Sequence, residues 1–174
     1  MHSAPSSNNN IKVNNAGLVL INSYILLLFE RLHLLSENLN VIINPALAVK
    51  TLNFIALGIE ANAELNTPLC KLLCSVPQSQ NLTGASELLP EQIELINGLI
   101  NAMIDHWPAI GNSSIDGFRG NWLVRDGLLT EYEDKWELTV EKRAYDLLIY
   151  KSPFSFSIIK FHWMQKPLHV NWLY

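Results

Sequence analysis

Proline placement constrains this chain more than any other feature. Pro45, Pro68, Pro90 and Pro108 recur through the first two thirds. A helix accepts proline readily only in its first turn, where the missing N–H has no intrahelical partner to lose. Residues 45–108 therefore have to be built from short helices, and the flanking residues agree. Asn44 stands before Pro45 as an N-cap and Gly58 closes that run. Thr67-Pro68 repeats the entry signal ahead of Leu69, Cys70, Leu72, Leu73 and Val76. Pro90 opens a helix with Ile93, Ile96, Ile100, Met103, Ile104 and Trp107 at helical spacing, and Pro108 ends it. Upstream, residues 16–35 read as one helix, apolar nearly all round and hence buried or covered by a partner. Residues 1–10, rich in Ser, Asn and Pro, read as a disordered tail. The polar stretch PQSQNLTGAS at 77–86 reads as an exposed loop.

After about residue 113 the pattern changes. Ser114 is placed to cap a short helix through Trp122 and Leu123, and Asp126-Gly127 marks a turn. Trp136, Leu138 and Val140 alternate with Glu137, Thr139 and Glu141, the period of a half-buried strand. Residues 128–132 supply its hairpin partner across Glu133-Asp134-Lys135. Residues 145–148 read as one helical turn, and 154–161 and 168–172 as further strands. Ten of the 16 aromatic residues lie from Tyr132 onward, which gives these strands a face to bury. The expected class is α+β: an N-terminal cluster of short helices followed by a small antiparallel sheet. At 174 residues this is one domain over 11–174, mainly helical through 112 and β-rich from 113.

Chemistry is sparse. The formal charge is −4, so no general field attracts nucleic acid. Walker, Gly-x-Ser-x-Gly and Gly-x-Gly-x-x-Gly patterns are missing from the sequence. Cys70 and Cys74 have the spacing of neighbours on a helix face, not of a Cys-x-x-Cys motif, and read as buried free thiols. The run Glu131, Glu133, Asp134, Glu137, Glu141 is interleaved with Lys135, Lys142 and Arg143, the pattern of a solvated strand face. His2, His33, His106, His162 and His169 lack ligand spacing. The uncharged stretch 14–29 is interrupted by Asn22 and Ser23 and is short for a bilayer. The first ten residues lack the positive region of a signal peptide. No catalytic, metal-binding or cofactor-binding residue, no nucleic acid and no membrane insertion is expected.

A set of distributed motifs is more informative. Val13-Asn14-Asn15-Ala16-Gly17-Leu18 and Leu28-Phe29-Glu30-Arg31-Leu32 come first, then Glu64-Leu65 and Lys71-Leu72-Leu73-Cys74. His106-Trp107, Asn112-Ser113-Ser114-Ile115-Asp116 and Phe118-Arg119 follow. Trp136-Glu137-Leu138-Thr139-Val140-Glu141, Asp146-Leu147-Leu148, Ile158-Ile159-Lys160, Trp163-Met164 and Val170-Asn171-Trp172 complete the order. Over residues 13–172 the chain thereby resembles the compact conserved domain of the contractile injection system tape measure protein family of phage-tail-like particles. Ser152-Pro153-Phe154 and His162-Trp163-Met164 depart from the Leu-Pro-Trp and Pro-Trp-Met the family favours.

The resemblance implies a non-enzymatic bacterial assembly component, present in the cytoplasm during assembly and docked on tube, baseplate or spike subunits, with self-association as a further option. Its candidate partner contacts are Trp122, Trp136, Phe154, Trp163 and Trp172, with Leu18 and Leu28 of the apolar first helix. For each of the aromatic residues the chain's own core is the commoner setting. The alternative is a small adaptor or chaperone holding an apolar segment of a particle protein in a groove around residues 18–28. A ruler role is not expected, because 174 residues as one unbroken helix reach at most about 260 Å.

Overall fold

The computed structural model describes residues 5–58, 67–82 and 86–173, with side chains from residue 10 onward. Glu64-Leu65 and residues 1–4 and 83–85 of the expected tail and loop lie outside the described residues. The chain opens with a strand, β1 (Pro5–Val13), then a 3-10 turn (Ala16–Ile21) and α1 (Asn22–Arg31). Helices α2 (Pro45–Leu57), α3 (Thr67–Leu73) and α4 (Pro90–Asp105) follow. The proline signals thus place these three helix starts. A short α5 (Ile115–Phe118) passes into a π turn (Arg119–Leu123). Then come β2 (Gly127–Tyr132), β3 (Trp136–Val140), a 3-10 helix (Ala144–Lys151), β4 (Ile158–Ile159) and β5 (Leu168–Asn171).

The architecture is α+β as expected, with helices mostly ahead of a five-stranded sheet ordered β1-β2-β3-β5-β4. Two details differ from the expectation. The β3–β5 ladder is parallel, while β1–β2, β2–β3 and β4–β5 are antiparallel, so the sheet is mixed. A parallel pair needs a crossover, which residues 141–167 supply. The second difference is β1. Residues 5–10, expected as disordered tail, begin the edge strand, with Asn10 opposite Thr130 and Lys12 opposite Leu128. Backbone pairing to β2 offsets the low strand propensity of the asparagines, and Thr130 Oγ1 donates to Asn10 Oδ1 at 2.8 Å.

The first helix is also shorter than the 16–35 expected. Residues 16–21 wind as a buried 3-10 turn because Gly17 lies against the backbone of residues 122–123; a Cβ there would stand 1.8 Å from the Trp122 carbonyl oxygen. Its neighbour Ala16 donates its N–H to the Arg125 carbonyl at 2.9 Å. At the far end, His33 takes the left-handed conformation (φ 56°). Leu34 N–H then reaches the Phe29 carbonyl and His33 N–H the Glu30 carbonyl, which closes α1 in a Schellman turn with Leu34 and Phe29 both buried. Ser75 closes α3 the same way. Neither stop carries the glycine that would have announced it.

Only Ile158–Ile159 of the expected 154–161 strand pairs with β5. Phe154 and Phe156 instead turn inward, against Tyr24 and Trp107 and against Trp172 respectively. The core runs from the 3-10 turn through α2, α3 and α4 to Leu129, Leu138 and Leu168 of the sheet. Among the described residues no helix is long and apolar enough to cross a membrane.

Candidate functional site

The charged centre of the molecule is Arg125, which is fully buried beside an equally buried Asp146. Its guanidinium has five N–H donors, and five contacts receive them. Nε and Nη2 donate to the Asn121 carbonyl at 3.1 and 2.8 Å. Nη1 donates to the Glu141 carbonyl at 3.1 Å. Nη1 and Nη2 donate to the two oxygens of Asp146 at 2.8 and 2.7 Å. Asp146 also accepts from the Arg143 backbone N–H at 3.0 Å and the Trp172 indole at 2.9 Å. The rings of Trp122, Tyr145 and Trp172 stand 5.1–5.5 Å from the guanidinium carbon.

Burial by itself would raise the Asp146 pKa. The Arg125 hydrogen bonds, the Arg143 N–H, the Trp172 indole and the Arg125 charge together more than reverse it, so the carboxyl is held below its ordinary value. Both members of the pair are buried and hydrogen-bonded to each other, and together they fix the π turn, the 3-10 helix and Trp172 in one geometry. Arg143 adds to this by donating to the Gly120 and Val124 carbonyls at 2.9 Å each. Arg119 closes α2 by donating to the Ile55 carbonyl at 3.0 Å.

Of the expected contact residues, Leu18, Trp122, Phe154, Trp163 and Trp172 are buried in the chain's own core. Trp122 packs on the fully buried Trp107 with ring centroids 4.4 Å apart. Trp163 stacks on Phe161 and donates to the Leu73 carbonyl at 2.7 Å. Leu28 is buried as well, at the floor of one surface hollow, and Trp136 alone is partly exposed, lining another. Cys70 and Cys74 are free, buried thiols. Burial pushes Cys70 up to about 12, against a smaller opposing hydrogen bond from Asn15, and raises Cys74 as well.

The larger hollow, about 600 Å³, lies between α1 and α4. Tyr24 in the first turn of α1 meets His106 just past α4, hydroxyl to Nδ1 at 3.2 Å. Arg31, Glu91 and Glu94 line the same hollow. Two stripes divide α4. Ile96, Ile100, Met103 and Trp107 are buried, whereas Glu91, Leu95, Gly98 and Ala102 recur at the same spacing along the hollow. A Cβ at Gly98 would meet nothing within 4 Å, so this mid-helix glycine leaves open space. Leu27 is 49% exposed on the opposite wall. Arg31, Glu91 and Glu94 make no ion pair among the described residues. The sequence motifs above include neither the hollow's Glu91, Glu94 and Gly98 nor Arg125. An isolated glycine in a strong helical pattern was the available signal for the first; a lone arginine whose partner is 21 positions away offered none.

A closed ion pair at the centre and an apolar hollow at the surface are the marks of a structural or interaction module. The comparison with protein families agrees: the family model for the contractile injection system tape measure protein matches residues 2–172. The chain belongs to that family. No curated protein and no solved structure matches it.

Proposed function

We propose that this chain is a non-enzymatic assembly component of a contractile injection particle, with residues 11–174, joined by the start of β1, acting as one domain. It docks on tube, baseplate or spike and is built in the bacterial cytoplasm. The family match over nearly the whole chain carries the reading. The open α1–α4 hollow supports it, since an apolar face rimmed by charge suits protein contact. Leu28 and Trp136 are contacts within this scheme. The buried tryptophans hold the surface in shape.

A second reading is favoured by the same hollow. Adjoining Leu28, it has the form of a groove in which an adaptor or chaperone would hold an apolar segment of a client. Sedimentation of tagged protein from particle-producing cells separates the two. Pelleting with sheath and tube subunits supports the particle component. Recovery only in a small stoichiometric complex with one client overturns it in favour of the adaptor.

A further inference from the structure

The apolar hollow between α1 and α4 carries charges of both signs. Arg31, Glu91 and Glu94 line it, are exposed, and make no ion pair among the described residues. Leu27 stands one turn before Arg31 on α1, and Gly98 one turn after Glu94 on α4. Leu27 is 49% exposed, and a side chain at Gly98 would meet nothing within 4 Å. One face of the molecule therefore offers a projecting leucine, an open place that would take one, a cation, and carboxylates able to meet it.

These features match in register between two copies. Consider α1 of one copy laid antiparallel along α4 of another, with Leu27 over Gly98. A step of one turn, about 5.4 Å, carries α1 forward to Arg31 and α4 back to Glu94. The apolar contact and the ion pair thus form at the same offset, and Glu91 lies a further turn along. A two-fold axis repeats both contacts, because α1 of the second copy then lies on α4 of the first. A partner of a single charge sign would set either Arg31 or the glutamates against their own kind. A second copy brings both signs in the matching order.

We infer that the α1–α4 hollow is covered by the same hollow of a second copy, in a two-fold dimer. Leu27 of each copy sits over Gly98 of the other, and Arg31 of each faces Glu94 of the other. The four helices close over the apolar walls, where Leu95 and Leu99 are only partly buried in the single chain. The contact is isologous, so assembly through it stops at two. It needs no other particle protein, which makes its failure in the pure chain a separate result from failure to sediment with sheath and tube.

Sedimentation equilibrium of the purified full chain, from micromolar to millimolar, tests this. The wild type is expected to interconvert between monomer and dimer, with nothing larger. Gly98→Leu fills the place that Leu27 of the other copy would occupy. Arg31→Glu and Glu94→Arg each set like charges together, and the symmetry makes every change act twice. Each variant should weaken dimerisation about tenfold or more with the fold intact by circular dichroism. The decisive sample is an equal mixture of Arg31→Glu and Glu94→Arg. Opposite charges then face each other at both contacts, so a heterodimer should form where neither variant alone dimerises well. A wild type that stays monomeric throughout overturns the inference and leaves the hollow to a client segment. Growth beyond the dimer, dimerisation that Gly98→Leu leaves unchanged, or a mixture no more associated than its two components overturns it as well.

Discussion

Replacing Asp146 with asparagine probes the charged centre without changing its volume. The wild-type carboxylate accepts four hydrogen bonds, two from Arg125, one from the Arg143 N–H and one from the Trp172 indole. Asparagine keeps one acceptor oxygen and turns an amide donor toward groups that are themselves donors. The buried guanidinium of Arg125 keeps its charge and loses its counterion. Breaking a buried pair from one side costs about 3–5 kcal/mol, which in a protein of this size lowers Tm by roughly 6–20 °C. Urea titration should show a lower midpoint with an unchanged slope. Arg125→Met combined with Asp146→Leu should lose less than the sum of the two single changes, because no charge is stranded. The pH dependence has a definite sign. A carboxyl whose pKa is lowered on folding contributes fully above its unfolded value near ~3.9, and that contribution fades as pH falls through the folded value. Wild type should therefore lose stability below about pH 4 more steeply than Asp146→Asn. A loss under about 1 kcal/mol for Asp146→Asn would refute the argument that this pair holds the fold together.

Four further outcomes follow from the packing. Gly17→Ala should cost about 3 kcal/mol or more, since its Cβ would collide with the Trp122 carbonyl; Gly98→Ala, with open space around it, should be neutral or add about 0.5–1 kcal/mol, both read from urea midpoints. Cys70 and Cys74, buried and with their thiols raised, should resist a thiol reagent at pH 8 and react together once denaturant unfolds the chain; rapid labelling of the native protein would sink that reading. Trp163→Phe should keep the stack on Phe161 but orphan the Leu73 carbonyl, costing about 1–3 kcal/mol in thermal unfolding.

The parts of the fold that were legible in the sequence are those written in local rules. Asn44-Pro45 starts α2 and its side chain accepts from Leu47 N–H at 3.2 Å. Ser114 caps α5 through Gly117 N–H at 2.9 Å. The alternation at 136–140 is β3, paired with 127–132 as its hairpin neighbour. What stayed hidden depends on distant partners. The left-handed stop at His33 is stabilised by burial of Leu34 against Phe29, and histidine carries no signal for it. The asparagine-rich start is a strand because β2 is there to pair with it. The aromatics of the C-terminal third were visible as candidates for contact, but whether a tryptophan faces a partner or a neighbour is decided by tertiary packing. The hollow was invisible for the same reason, since a surface is defined by what fails to cover it.

The position of β1 has a consequence for synthesis. Its partners lie at residues 127–132, Pro5 opposite Tyr132 and Val13 opposite Gly127, so β1 leaves the ribosome long before the strand it pairs with. Closing so long a loop makes this ladder a late, non-local step. Until then the apolar 3-10 turn beside it also lacks the 122–125 backbone it rests on. Nascent chains arrested before residue 122 should therefore leave β1 open to protease, whereas release of the full chain should protect it. Of this pair, the strand made first has to wait for the strand made later.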